Sequence, residues 1–307
     1  MRYTRSALGL LLRQYRSVLK RCLLAQLVGL FVLSTPALAA DDLVTLNQST
    51  DAERVYNFEN ASDVYTLTGA IGKTGAGKYT INGKVDGDVM STVDMGAFGG
   101  FEVRNNINLS VNNVAFKDFT FDKSVNELGS LLYLNGSNST VSLNNITFEG
   151  ANVLANIYNG TIYIENGKVE NLSGKFTNNK YEAKDYVIGS VVCNNKGNIG
   201  IIEGEFVGNE STALKRNISG GVIYTGTGSI GIISGKFENN KMSSTTTAYG
   251  GVIYNGTGKI EMISGKFENN NMLAGTTARG SALYVGSARI GIIEPNPQSP
   301  IPNLIYL

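Results

Sequence analysis

The sequence contains no histidine and no tryptophan, only two cysteines and five prolines. Without histidine there is no imidazole for a catalytic triad, no histidine-held metal and no side chain that ordinarily titrates near neutrality. Cys22 falls in the leader discussed next, which leaves Cys193 alone, so an exported form has no intrachain disulfide. Cys193 stands where later repeats carry Tyr224 and Tyr254, and is read as a small core residue. Pro36 lies near the start, and the remaining prolines all fall between Pro295 and Pro302. From Ala40 to Glu294 every backbone N–H is therefore free to donate, as expected where a chain pairs with itself throughout.

Acidic residues are missing from the first 39 positions, which carry Arg2, Arg5, Arg13, Arg16, Lys20 and Arg21. An apolar run from Cys22 to Leu33 follows, then the small residues of Ala37-Leu38-Ala39. That order is a secretory signal peptide of bacterial type, and the mature chain is expected to begin at Ala40. The apolar run is too short for a hydrocarbon core about 30 Å thick. Bulky charged neighbours before Cys22 do not suit lipoprotein cleavage. Loss of the leader leaves 20 Lys plus Arg against 25 Asp plus Glu, a net of about −5. That balance argues against nucleic acid or an anionic membrane as partner.

What is present is repetition. Gly220-Gly221-Val222-Ile223-Tyr224 returns as Gly250-Gly251-Val252-Ile253-Tyr254, and more loosely as Gly280-Ser281-Ala282-Leu283-Tyr284. Each is followed by a short apolar run, at Ile230 to Ile233, Ile260 to Ile263 and Ile290 to Ile293. A phenylalanine column at Phe116, Phe148, Phe176, Phe206, Phe237 and Phe267 carries one frame upstream at a spacing near thirty residues. Such a period marks stacked supersecondary units rather than one globular core.

Other columns share the frame. Apolar residues recur at Val169, Ile199, Ile230, Ile260 and Ile290, and at Leu172, Ile202, Ile233, Ile263 and Ile293. Glycine recurs at Gly174, Gly204, Gly235 and Gly265, and asparagine at Asn179, Asn209, Asn240 and Asn270. Short runs rich in β-branched residues, without a 3.6-residue stripe, are strands. The paired glycines suit sharp corners. The asparagines suit turns, and stacked in register they can form amide ladders. These features predict an all-β chain folded as a parallel β-helix, with about seven coils.

The predicted layout is a signal peptide at 1–39, an N-terminal cap at 40–74, repeats at 75–293 and a Pro-containing irregular tail at 294–307. Pro295 and Pro297 replace the glycine and phenylalanine columns, so Ile290 to Ile293 is expected to be the last strand in register. An exposed coil end would then invite self-association. Ser211 to Asn217, Lys241 to Tyr249 and Asn271 to Arg279 read as protruding loops and thus as sites of recognition.

The alternation of Gly-Gly-Val-Ile (220–223, 250–253) with Phe-x-x-Asn (237–240, 267–270) resembles the repeated motifs of chlamydial-type polymorphic outer membrane proteins. More broadly it is similar to autotransporter passenger regions. The resemblance spans roughly residues 75 to 293 and implies a right-handed, pectin-lyase-like parallel β-helix. It also implies a surface-exposed or secreted adhesin or antigen that engages a host-cell or matrix protein or glycan receptor. The chain departs from the autotransporter pattern at its C-terminus, where no membrane β-barrel sequence follows. Outer-membrane anchoring is expected only through a separate barrel.

Two rival readings are a glycan-cleaving β-helix enzyme of the pectate lyase or polygalacturonase kind and an inert structural stalk. The enzyme needs clustered carboxylates or a Ca²⁺ site. Asp86 and Asp88, and Glu203 and Glu205, are expected to share strand faces, but no aspartate follows Asp185. Glu238 and Glu268 read as solvated residues in turns, beside asparagine. No catalytic, metal or cofactor residue is therefore assigned. The named positions are structural repeat residues: Gly220, Gly221, Gly250, Gly251, Phe206, Phe237, Phe267, Asn209, Asn240 and Asn270.

Overall fold

The computed structural model describes residues 53–67, 72–73, 76–122, 130–294 and 305–306. The expected signal peptide, the first part of the expected cap and most of the tail lie outside the described residues. The described chain is all-β, a parallel solenoid of about 7 turns with coils of ~30 residues.

One repeat shows how a coil is built. Strands at Ile223–Thr225, Ser229–Ile233, Lys236–Glu238, Lys241–Ser244 and Thr247–Tyr249 follow one another with short corners between them. Each pairs in parallel with its counterpart in the next coil, at Ile253–Asn255, Lys259–Ile263, Lys266–Glu268, Asn271–Ala274 and Thr277–Arg279. The first three faces belong to a 21-stranded sheet and the last two to a 9-stranded sheet. Backbone hydrogen bonds thus run along the solenoid axis, so side chains in register stack into columns.

The phenylalanine column holds from end to end. Phe116, Phe148, Phe176, Phe206, Phe237 and Phe267 are Cα partners in turn. All are buried, and from Phe176 onward the rings lie nearly parallel, with centroids 5.2, 4.8 and 4.7 Å apart. Each stacked pair contributes roughly 0.5–1.5 kcal/mol beyond area burial. The same column continues upward as Val93 and Tyr65, which the repeat pattern does not mark.

Glycines hold the frame at a bend and a corner. Gly174, Gly204, Gly235 and Gly265 have φ of 136, 135, 114 and 124°, a conformation other residues rarely adopt. The outward side chains on both sides of this bend, such as Glu203 and Glu205, are exposed, and the chain turns inward again at the phenylalanine. At the other corner Gly220 and Gly250 have φ of 70 and 64°, whereas Gly221 and Gly251 are places of close approach. A Cβ on Gly221 would lie 2.1 Å from the Gly251 carbonyl oxygen.

The asparagines divide two tasks that the sequence reading gave to one. The left-handed turn falls on Asn178, Gly208, Asn239 and Asn269, two residues after each phenylalanine. The next residue forms the ladder. Asn179, Asn209 and Asn240 are buried and donate through Nδ2 to the following asparagine's Oδ1 at 2.9, 3.0 and 2.9 Å. The other Nδ2 hydrogen goes to the phenylalanine carbonyl of the preceding coil, as in Asn209 to Phe176 at 2.9 Å.

Four expectations change. The expected loops from Lys241 to Tyr249 and Asn271 to Arg279 are mostly strands of the smaller sheet, and Ser211 to Ala213 is strand as well, while Leu214 to Asn217 is an exposed connection as expected. Their Ser/Thr-rich character reflects an inner surface of small side chains, with Ser211, Ala213, Ser244 and Ala248 buried beside Met242. Within the expected cap, Glu53–Asn57 already pairs in register with Gly77–Asn82. The tail returns to the sheet, where Ile305–Tyr306 pairs with Leu283–Tyr284, so Ile290 to Ile293 is not the last paired strand. Asp86 and Asp88 do not share a strand, because Val85–Asp86 and Val89–Met90 form an antiparallel hairpin with Gly87 at φ 58° in its turn.

Cys193 is buried and in register with Tyr163 and Tyr224. The interior positions of its strand are Val192 and Asn194, both 0% exposed. Strand alternation therefore puts the thiol in the outer tyrosine column and not in the lumen.

Candidate functional site

The Val85–Met90 hairpin is the one antiparallel pairing among the described residues. It is anchored at its base: Lys84 N–H donates to Ser91 Oγ at 2.8 Å, and Ser91 Oγ donates to the Asn60 carbonyl at 2.9 Å. Beyond that anchor Val85 and Val89 are 48% and 50% exposed. The hairpin borders a cleft of about 740 Å³ against the outer surface of the third face.

The cleft is prepared by the columns beneath it. Thr92, Ala115, Thr147 and Lys175 follow one another in register along that face. The later coils continue the same column with Glu205, Lys236 and Lys266. Three small side chains thus form the floor where the later coils carry long charged ones. Lys117 and Glu149 stand in the adjacent outward column, and Asn145 and Asp88 complete the rim.

Several charges on the outer faces of the later coils are paired. Lys236 pairs with Glu238, Lys266 with Glu268 at 2.7 Å, Lys259 with Glu261 at 2.8 Å and Lys241 with Glu210 at 2.9 Å. Such exposed pairs are worth about 0–1 kcal/mol each, but they satisfy one another. Asp88, Lys117 and Glu149 make no ion pair or side-chain hydrogen bond among the described residues, and Lys175 reaches Glu205 only at 3.8 Å. Unpaired groups of both signs, two hydroxyls and an amide around an open floor can take hydrogen bonds and charge from a bound polar chain.

The residues assigned from sequence lie elsewhere. Gly220, Gly221, Gly250, Gly251, Phe206, Phe237, Phe267, Asn209, Asn240 and Asn270 shape corners and lumen and do not line the cleft, whereas Phe116 of the same phenylalanine column does. Glu238 and Glu268 sit in strands rather than turns and are tied to lysines. Glu203 and Glu205 flank the Gly204 bend, and Glu205 faces Lys175. Of the carboxylates weighed from sequence, only Asp88 lines the cleft, and Asp86 does not. Sequence reading missed the hairpin because Lys84 to Asp88 continues the alternation of Tyr79 to Gly83. The pair of residues around Gly87 was the available signal for a two-residue turn.

Among the described residues no group of three or more His, Cys, Asp or Glu could hold a metal ion, and no helix is long and apolar enough to cross a membrane. Set against protein-family models, curated proteins and solved structures, the chain matches none of them significantly.

Proposed function

We propose that this chain is an adhesin-like protein of a bacterial surface or secreted fraction, which binds another cell's matrix proteins or glycans without catalysis. The observation that carries the reading is the hairpin cleft. It sets Asp88, Lys117 and Glu149, which make no ion pair among the described residues, beside half-exposed Val85 and Val89 over a floor of small side chains. A solenoid supports such a role because each coil is held by its neighbours, so a cleft on one face needs no separate domain. The basic and apolar leader supports export, and N-terminal sequencing of the exported chain is expected to begin at Ala40.

The test is a binding screen of the purified chain against matrix proteins and glycans, repeated with Lys117→Glu and Glu149→Lys. Saturable binding that falls at least about tenfold in either variant supports the reading, since a charge reversal turns one attraction into repulsion. Turnover of a polygalacturonate or related glycan would replace it with the enzyme. Absence of any saturable binding would leave the stalk.

A further inference from the structure

The Ile-Gly-Ile-Ile runs place two isoleucines inside and one outside. Ile199, Ile202, Ile230, Ile233, Ile260 and Ile263 are at most 2% exposed. Positions three apart cannot share a face of a regular strand. Here an extra residue enters at Glu170 as a register shift against the preceding coil. Its counterparts Gly200, Gly231, Glu261 and Gly291 stay outside the Cα pairing on both partner strands, which restores the inward phase after them. The residue after each of them then faces outward. Ile201, Ile232, Met262 and Ile292 are partners in turn, partly exposed, with Ile292 at 57%.

The same column is polar in the earlier coils, at Asn171, Ser142, Ser110 and Thr80. In the column beside it Asn57, Asn82, Asn112 and Asn144 form a ladder that reaches Asn171, with amide hydrogen bonds of 2.9, 2.8, 2.7 and 2.7 Å. At Asn171, whose partner is Ile201, a ladder that satisfies itself gives way to an aliphatic stripe. Gly200, Gly231 and Gly291 beside it carry no side chain that could cover it. One rim consists of Asn198, Ser229, Lys259 and Arg289. The other consists of Glu203, Ser234, Ser264 and Glu294, which follow the inward isoleucines.

We propose that this stripe is a contact between two copies of the chain, laid face to face with their coil axes parallel. A two-fold axis along the stripe exchanges the rims. Arg289 of one copy then meets Glu294 of the other, Asn198 meets Glu203, and the aliphatic column meets itself level by level. Antiparallel copies would set the basic rim against the basic rim. The acidic rim disfavours an anionic membrane as the occupant. The contact is lateral, and is distinct from association through a coil end.

Analytical ultracentrifugation of the purified chain is expected to show a dimer. The double variant Ile232→Ser with Met262→Ser should raise its dissociation constant at least about tenfold, because aliphatic area at the contact is lost, while circular dichroism and melting temperature stay unchanged. Should that variant unfold, Ile232→Cys supplies a second reading. Level-by-level contact predicts a disulfide between two copies at this position, and none at the exposed, off-stripe Thr227→Cys; Cys193 is buried and does not compete. A wild-type monomer at high concentration would overturn the proposal. So would a dimer indifferent to the double variant, or cross-linking of Ile201→Cys with Ile292→Cys in place of Ile232→Cys with itself.

Discussion

Asn209 and Asn240, thirty-one residues apart, are joined by two hydrogen bonds to a single oxygen: Asn240 Oδ1 accepts Asn209 Nδ2 at 3.0 Å and Asn209 N–H at 3.1 Å. Asn209 repeats the arrangement toward Asn179, whose Nδ2 it accepts at 2.9 Å. A buried amide thus satisfies two backbone groups and two side chains across three coils. Asn209→Ala is expected to destabilise the chain by about 2–4 kcal/mol, because it strands the buried Asn179 donors and the Phe176 carbonyl and leaves Asn240 Oδ1 only the backbone N–H. Asn209→Asp should not rescue it, since the carboxylate keeps the acceptor but loses the donors and buries a charge. Chemical denaturation monitored by circular dichroism reads both, and a loss below about 1 kcal/mol in Asn209→Ala would refute the ladder's role.

Phe237 and Glu238 are neighbours on one strand with opposite fates. Phe237 is 0% exposed between Phe206 and Phe267, while Glu238 points outward to Lys236. Phe237→Ala is expected to cost about 3–5 kcal/mol, as for a buried aromatic. Glu238→Ala should cost less than about 0.5 kcal/mol. Equal losses in the two variants would contradict the inward phase of the column.

Much of this architecture was legible because the chain repeats itself: one residue type at one phase, as for phenylalanine and buried asparagine, fixes a column. Where equivalent residues face different ways, the sequence misleads. Ile199, Ile201 and Ile202 are identical in chemistry, and only the extra residue at Gly200, left out of the strand pairing, decides which one meets solvent. The strands from Lys241 to Tyr249 were hidden because their inner side is lined by small residues such as Ser244 and Ala248, which resemble loop composition. The cleft was hidden for a different reason. Its floor is defined by small side chains at Thr92, Ala115 and Thr147, in register across coils whose loops differ in length, and register is a property of the fold.

Gly235 and Gly87 separate two reasons for glycine. Gly235 has φ 114°, and a Cβ there would lie 2.2 Å from the Gly204 carbonyl oxygen. Gly87 has φ 58° with nothing within 4 Å of an added Cβ. Gly87→Ala should therefore cost only the left-handed penalty of about 1–2 kcal/mol. Gly235→Ala adds a backbone clash and should cost about 2–5 kcal/mol. Thermal melts of both variants test the ordering, and a Gly87 variant worse than the Gly235 variant would invert it.

The pH dependence of stability follows from which groups are held away from their ordinary values. Glu210, Glu238 and Glu261 are lowered from 4.5, in each case chiefly by a hydrogen bond from a lysine: Lys241, Lys236 and Lys259. A carboxylate lowered in the folded state adds stability above its unfolded value, and that stability is lost as pH falls through the folded one. Acid destabilisation is therefore expected to begin only below about pH 4.5, and to be shallow because these pairs are exposed. On the alkaline side, burial raises the Cys193 thiol above 9.0 and the Tyr158 and Tyr181 phenols above 10.0, with the Thr161 hydrogen bond partly offsetting it at both tyrosines. The unfolded chain then releases protons that the folded chain retains, so stability is full below about pH 9 and falls as pH rises beyond it. With no histidine in the chain, the melting temperature should be flat between pH 6 and 8. The variant Cys193→Ser should move the start of the alkaline fall toward pH 10. A melting temperature that changes steeply between pH 6 and 8, or an alkaline limb absent up to pH 11, would contradict this assignment.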